Sequence, residues 1–196
     1  MNPGIVNTLK LTDPDYPDIL RHIPSAPKQL FWAGADIENW LGKPKVAIVG
    51  SRKISPYGQS VTKTISRQLA QCGVVIISGL AYGVDTQAHK SALEAGGVTI
   101  AVLAGGLDTI YPTNNSNLSR QIVQSNGTLI TEYANGTASF KQNFIARNRI
   151  VSGLADILII TEASLKSGSL HTAKFALEQG KTVMAVPGNI TSPNSE

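Results

Sequence analysis

Cysteine is almost missing from this 196-residue chain: Cys72 is the only one. An internal disulfide is thereby excluded, which is compatible with a reducing cytoplasm. Histidine is scarce as well, and His22, His89 and His171 lie far apart with no cysteine or carboxylate at metal-ligand spacing, so no metal site is expected. Apolar runs reach only about five residues, far short of the ~20 that a membrane helix needs. No charged-then-apolar leader opens the chain. The cytoplasm is therefore the expected location, with no membrane partner. Neither a G-x-x-x-x-G-K-[ST] phosphate loop nor a G-x-S-x-G nucleophile elbow occurs. Asp85 and Asp108 sit where a general base could, but aspartate also caps helices there, and no nucleophile–base pair stands out. The chain is expected to be no enzyme, with no catalytic residue and no cofactor.

What is present is an ordinary globular composition, 42% hydrophobic, long enough for one α/β domain with a sizeable core. The net charge of +4 is unevenly spread. Residues 1–44 carry four Lys/Arg against five acids, and the remaining 13 bases face 8 acids. The basic excess therefore travels with the segment that begins at residue 45, as an anionic partner would require.

From that point short apolar runs alternate with helical patterns. Strands are expected at 45–50, 74–78, 98–103, 128–131, 156–161 and 182–186. They lack period-two alternation, as strands buried on both faces do. Helices are expected near 57–72, 84–95, 114–125, 143–154 and 169–180, the first opened by Ser55 and Pro56 as cap and first-turn proline. Six-fold alternation of this kind predicts an α/β fold, a doubly wound and mainly parallel sheet that is extended Rossmann-like. Residues 1–44, with Pro14, Pro17, Pro24 and Pro27, read differently. They are expected to be an N-terminal extension with little regular structure, laid against a binding domain at 45–196. The loop-type residues of 188–196, with no closing helix, make that domain read as cut short.

Open α/β sheets bind ligands beyond the carboxyl ends of their strands, and the unusual residues collect there. "VGSRKISPYG" is a weak match to a dinucleotide fingerprint, with Ser51, Arg52 and Lys53 where glycines belong; Arg52 could fork onto a phosphate. "SLKSGSLHTA" is the best anion cradle: Gly168 permits close approach, Ser167 and Ser169 carry hydroxyls, Lys166 adds charge, and a helix begins near Leu170. In "FIARNRIVSGLAD", Phe144, Ile145, Val151 and Leu154 are assigned to the buried side. Arg147 and Arg149 are about 200° apart around that helix, so one is assigned to a ligand and one to structure, with the choice open. Asn148 either reads a base or sugar or ties down a loop. Phe140, in a glycine- and serine-bearing loop beside Lys141, is the ring best placed to stack on a base.

Together "VAIVGSRKISPYG", "SGLAYGVDTQAH", "AVLAGGLDTIYP", "FIARNRIVSGLAD" and "EASLKSGSLHTAKFALEQGKTVMAVPG" resemble the DNA-processing protein A (DprA/Smf) family of bacteria. The similarity runs back through "DPDYPDILRHIPSAPKQLFWAG" and so covers nearly the whole chain. It implies an extended Rossmann domain that binds single-stranded DNA in natural transformation, protects incoming DNA, helps load a RecA-type recombinase and works as a homodimer. By motif, it implies DNA-binding roles for Gly50, Ser51 and Arg52, for Arg147, Asn148 and Arg149, and for Ser167, Gly168 and Ser169; Lys53 and Phe140 lie in the corresponding segments. Family members usually continue past Pro187-Gly188, often into a winged-helix domain, and many carry a helical N-terminal domain; this sequence has neither. A second resemblance, to Rossmann-fold nucleotide phosphoribohydrolases of the lysine-decarboxylase-like group, fits less well. Their motif needs a glutamate three residues after its threonine, where this chain has Phe175 after Thr172.

Overall fold

The computed structural model describes residues 6–188 and Ser192. The loop-type tail expected over 188–196 thus lies mostly outside the described residues. Among the described residues eight strands form one sheet: β1 (Asn7–Lys10), β2 (Gln29–Gly34), β3 (Lys45–Gly50), β4 (Val75–Ser78), β5 (Thr99–Val102), β6 (Thr128–Thr131), β7 (Ile157–Glu162) and β8 (Thr182–Ala185). Their spatial order is β1-β2-β6-β5-β4-β3-β7-β8. All neighbours from β6 to β8 pair in parallel, whereas β1–β2 and β2–β6 are antiparallel. The result is the expected α/β sheet, mostly parallel but mixed at one edge.

Alternate residues of the central strands serve opposite faces. Ala47 and Val49 of β3 join one core with α6 (Lys141–Leu154), whose Ile150, Val151 and Leu154 are buried. Ala173 and Ala176 of α7 (Ser169–Glu178) pack into the same core. Val46 and Ile48 join the other core with Ala70 of α3 (Pro56–Gln71) and Val84, Ala88 and Ala92 of α4 (Val84–Glu94). Further along that face, α5 (Ser116–Gln124) supplies Leu118 and Ile122. The start of α3 is capped as the sequence suggests: Ser55 Oγ accepts from the Gly58 N–H at 3.0 Å, with Pro56 in the first turn.

The first 44 residues differ from expectation. They do not form a sparsely structured extension; β1 and β2 lengthen the sheet itself beyond β6. Tyr16, Leu20, Leu30, Ile37 and Trp40 are buried in the core that α6 also joins. The Trp40 Nε1–H donates to Thr128 Oγ1 at 2.9 Å, and the Tyr16 hydroxyl donates to the Pro27 carbonyl at 2.8 Å. The short helices α1 (Asp18–Arg21) and α2 (Glu38–Leu41) fall within this segment. Pro14, Pro17, Pro24 and Pro27 lie outside both strands, where the missing N–H groups interrupt no ladder. No helix among the described residues is long and apolar enough to cross a membrane.

Candidate nucleic-acid interface

From β3 the chain builds outward through β4, β5 and β6, then crosses by α6 to place β7 on the other side of β3. The carboxyl ends of β3 and β7 therefore frame the point where the winding direction reverses, the usual ligand crevice of such sheets. A cleft of about 300 Å³ lies there. Gly50, Ser51, Arg52 and Lys53 line it from the β3 side, and Lys166, Ser167, Gly168 and Ser169 from the β7 side. Two segments more than a hundred residues apart in sequence thus meet across one opening.

The β3 side is a tight turn. The Ser51 N–H donates to the Glu162 carbonyl at 2.7 Å, and the Val84 N–H donates to the Ser51 carbonyl at 3.1 Å. Ser51 Oγ accepts from the Lys53 N–H at 3.1 Å, which folds the turn back on itself. A Cβ on Gly50 would stand 2.6 Å from both the Glu162 carbonyl oxygen and Val84 Cγ2. Glycine is therefore required here by protein atoms, whatever approaches from outside. Arg52 is exposed, its guanidinium carbon 5.3 Å from the ring centre of Phe144. That cation–π contact holds the charge at the rim without hiding it.

The β7 side closes into the first turn of α7. The Ser167 N–H donates to the Ser164 carbonyl at 2.8 Å, and the Ser167 and Ser169 hydroxyls lie 2.7 Å apart. Gly168 has ordinary right-handed helical angles, φ −61° and ψ −20°. Nothing stands within 4 Å of where its Cβ would be. Asn148 reaches across from α6 and donates from Nδ2 to the Gly168 carbonyl at 3.3 Å. Of the two roles left open for this side chain, the structure shows the loop tie.

Both arginines of the Arg147–Arg149 segment are turned inward. Arg147, 3% exposed, donates through Nη1 to the carbonyls of Gly79 (2.6 Å) and Val102. Those carbonyls follow β4 and end β5, so one guanidinium ties two strand ends together beneath the rim. Gly79 makes room for it: a Cβ there would lie 2.5 Å from the guanidinium nitrogens. Burial lowers the Arg147 pKa to about 10, against the pull of Asp85, so it stays charged at neutral pH. Asp85 accepts the N–H groups of Gly79 (3.0 Å) and Ala81 (3.2 Å); burial raises its pKa while Arg147 and these bonds oppose the rise. Arg149 makes two 2.6 Å bonds to the Glu132 carboxylate and a third, at 2.9 Å, to the Ser25 carbonyl. Neither arginine faces the opening, so the expected division into one ligand-facing and one structural residue gives way to two internal ties. The cause is α6 itself, packed against the sheet on one side and the N-terminal segment on the other.

The aromatic residues also rearrange the expected picture. Ile145 is 41% exposed rather than buried, and Phe144 is half-buried at the rim, not in the core. Phe144 meets the exposed Tyr111 edge-on at 5.3 Å. Phe140, 58% exposed, caps the start of α6 one turn before Phe144. The Tyr111–Phe144–Arg52 cluster was not legible in the sequence, because Tyr111 comes from the loop after β5 and only the sheet order brings it to α6. Asp108 instead accepts the Gly136 N–H at 3.0 Å, a loop tie. Among the described residues no group of His, Cys, Asp or Glu could hold a metal ion.

Residues 7–196 match the sequence profile of the family described as DNA recombination-mediator protein A. The chain belongs to that family. It is 44% identical over 179 residues to Protein Smf of Synechocystis sp., an overlap of 90% of this chain and 45% of that protein. It superposes on the X-ray structure of DNA processing protein A (DprA) from Streptococcus pneumoniae with a TM-score of 0.90 and 40% identity, covering 97% of this chain and 66% of that one. The DprA structure from Helicobacter pylori, which concerns that protein's single-stranded DNA binding mode, gives a TM-score of 0.87 and 37% identity, covering 97% of this chain and 84% of the other. The chain spans about half the length of the curated relatives it matches, 41% in the case of Protein Smf of Escherichia coli.

Proposed function

We propose that the chain binds single-stranded DNA along the carboxyl rim of its sheet and does no chemistry on it. The observation that carries this reading is the cleft between β3 and β7, where exposed Arg52 faces a loop of hydroxyls and backbone at the start of α7. Backbone N–H groups alone suffice for the single pyrophosphate of a dinucleotide. A nucleic-acid strand brings a row of phosphates, and cations at the rim each neutralise one. Exposed Phe140 and Tyr111, with Phe144 between Tyr111 and Arg52, supply ring faces for unpaired bases. Similarity to the H. pylori relative, whose structure concerns its single-stranded DNA binding mode, supports single-stranded DNA as the ligand.

In this reading Gly50, Ser51, Arg52, Lys53, Ser167, Gly168, Ser169 and Phe140 face the strand, with Asn148 behind the loop and Arg147 and Arg149 beneath as its frame. Protection of incoming DNA in natural transformation, loading of a RecA-type recombinase and work as a homodimer complete the proposal; family membership supports them.

The phosphoribohydrolase alternative asks for a glutamate near Thr172. Glu178 is six residues further along α7, about 9 Å along the helix axis, and exposed at its far end. Incubation with adenosine monophosphate should release no adenine. The binding proposal is tested by Arg52→Ala. Arg52 lies beyond its strand and exposed, so its loss opens no cavity. Affinity for an oligothymidylate should fall, and the log–log salt slope should become shallower by roughly 0.7, one phosphate contact on a single strand. An unchanged affinity and slope would remove Arg52 from the site.

A further inference from the structure

Not all of the basic excess lies at the rim. On the sheet face covered by α3, α4 and α5, Lys63 and Arg67 of α3, Lys90 of α4 and Arg120 of α5 are exposed. α3 and α5 contain no acid. Of the two in α4, Asp85 is buried beside Arg147, so Glu94 is the one exposed acid of these three helices. The N-terminal segment, with five acids against four Lys/Arg, packs on the opposite face with α6 and α7. Lys63 and Arg67 stand one turn apart on the same stripe of α3, and among the described residues neither pairs with an acid. Like charges four residues apart repel, and an acid between them would relieve it. A local rule broken with no gain inside the chain points to something outside it.

We propose that the outer stripe of α3 is a second contact surface for a single strand, which leaves the rim on its β3 side and follows the helix away from it. This inference rests on the DNA-binding reading and adds a surface to it. β3 and β4 are parallel, so α3, which joins them, runs from the carboxyl rim back toward the opposite edge of the sheet. It starts at Pro56, just past Lys53 of the rim turn. Lys63 then lies about 10 Å and Arg67 about 16 Å along the helix axis from that start. Arg67 is thus beyond the ~8 Å over which exposed charges interact at physiological salt, so it acts on a strand by contact and not by attraction from the rim. Exposed Ser60 and Thr64 share the stripe and offer hydroxyls to phosphate oxygens. From Ser60 to Gln71 the helix carries no aromatic ring, so this surface takes the backbone of any base sequence. An acidic protein would meet the same charges, but continuity with the rim favours the strand already held there.

Titration of the purified chain at several salt concentrations with oligothymidylates of about 6 and about 16 nucleotides tests it, lengths within the usual range of single-strand site sizes. The short strand fills the rim, and only the long one reaches α3. The log–log salt slope of the long strand should be steeper than that of the short by roughly 1.4, two phosphate contacts. Lys63→Gln with Arg67→Gln should abolish that excess and weaken binding of the long strand, while short-strand affinity and melting temperature hold. Lys10→Gln with Lys28→Gln removes the same charge from exposed sites on the N-terminal segment and should leave the long-strand slope as it was. Equal slopes for the two lengths, an unchanged long-strand slope in the α3 variant, or the same loss in the Lys10 and Lys28 variant would each overturn the proposal. So would a loss seen only with duplex DNA, which would assign the stripe to a paired partner. The two readings separate. Short-strand binding with no contribution from α3 defeats the stripe alone, and failure of both strands to bind defeats the DNA reading.

Discussion

Replacing Gly168 by alanine asks whether the loop before α7 serves the fold or a ligand. Gly168 already has helical angles, and the added methyl would meet no protein atom within 4 Å. Alanine at such a position stabilises by about 0.4 to 1 kcal/mol, because the unfolded chain loses freedom that the folded chain never used. For a domain of this size that is a rise of roughly 1 to 4 °C in melting temperature. The same methyl projects into the space where a phosphate would approach the backbone. Loss of one hydrogen bond to a charged group costs about 1.5 to 3 kcal/mol, so affinity should fall at least about tenfold. Ser169→Ala is the comparator. It leaves the backbone donors in place and should cost only about 1 kcal/mol of binding. Thermal melting and fluorescence anisotropy with a labelled oligothymidylate, run on both variants, read the two effects separately. Opposite signs are expected in Gly168→Ala: more stable, weaker binding. Unchanged affinity in that variant, or a larger binding loss in Ser169→Ala, would refute the cradle.

Arg147→Ala should behave in the contrary manner. It leaves Asp85 buried without its counter-charge, a loss of about 3 to 5 kcal/mol visible as a lower melting temperature; an unchanged melting temperature with lost DNA affinity would return Arg147 to the ligand. His89 makes the fold sensitive to acid. It is fully buried, with Nδ1 2.7 Å from Thr99 Oγ1 and Nε2 unpartnered among the described residues. Burial, helped by the Arg147 charge, lowers its pKa from 6.5 to about 3. The unfolded chain takes up that proton below about 6.5 and the folded chain only near 3, so stability is full above this window and falls with pH inside it, by ~1.4 kcal/mol per unit. Urea unfolding at pH 7 and pH 5 should therefore differ by about 2 kcal/mol from this group, and a difference of the same size in His89→Gln would assign the loss elsewhere.

The parallel part of the sheet was legible because its strands are short, wholly apolar runs separated by helices with a single apolar face. β3 and β6 fall on the expected residues, and β4, β5 and β7 within one or two of them. The N-terminal strands were not legible. β1 is four residues with alternating exposure, and β2 follows a proline-rich stretch whose composition suggested irregular chain. Only the partner strand, β6, and the acceptor of the Trp40 N–H, Thr128, explain why this segment is ordered. The same missing layer accounts for the arginines. Spacing around an isolated helix places Arg147 and Arg149 on different faces, but α6 is covered on both, with Leu20 and Ile23 against Gly153 and the Ser25 carbonyl against Arg149. The glycine-serine and serine-glycine-serine loops were found because they end strands. That they face each other follows from the order of the strands, which no local pattern encodes.

The central claim, that this rim takes an unpaired strand, is tested most directly by titrating the purified chain with single- and double-stranded oligonucleotides of equal length at several salt concentrations. Tighter binding to the single strand, little dependence on base sequence and an affinity that falls linearly with salt on logarithmic axes are predicted. Equal or tighter binding to the duplex would contradict the claim.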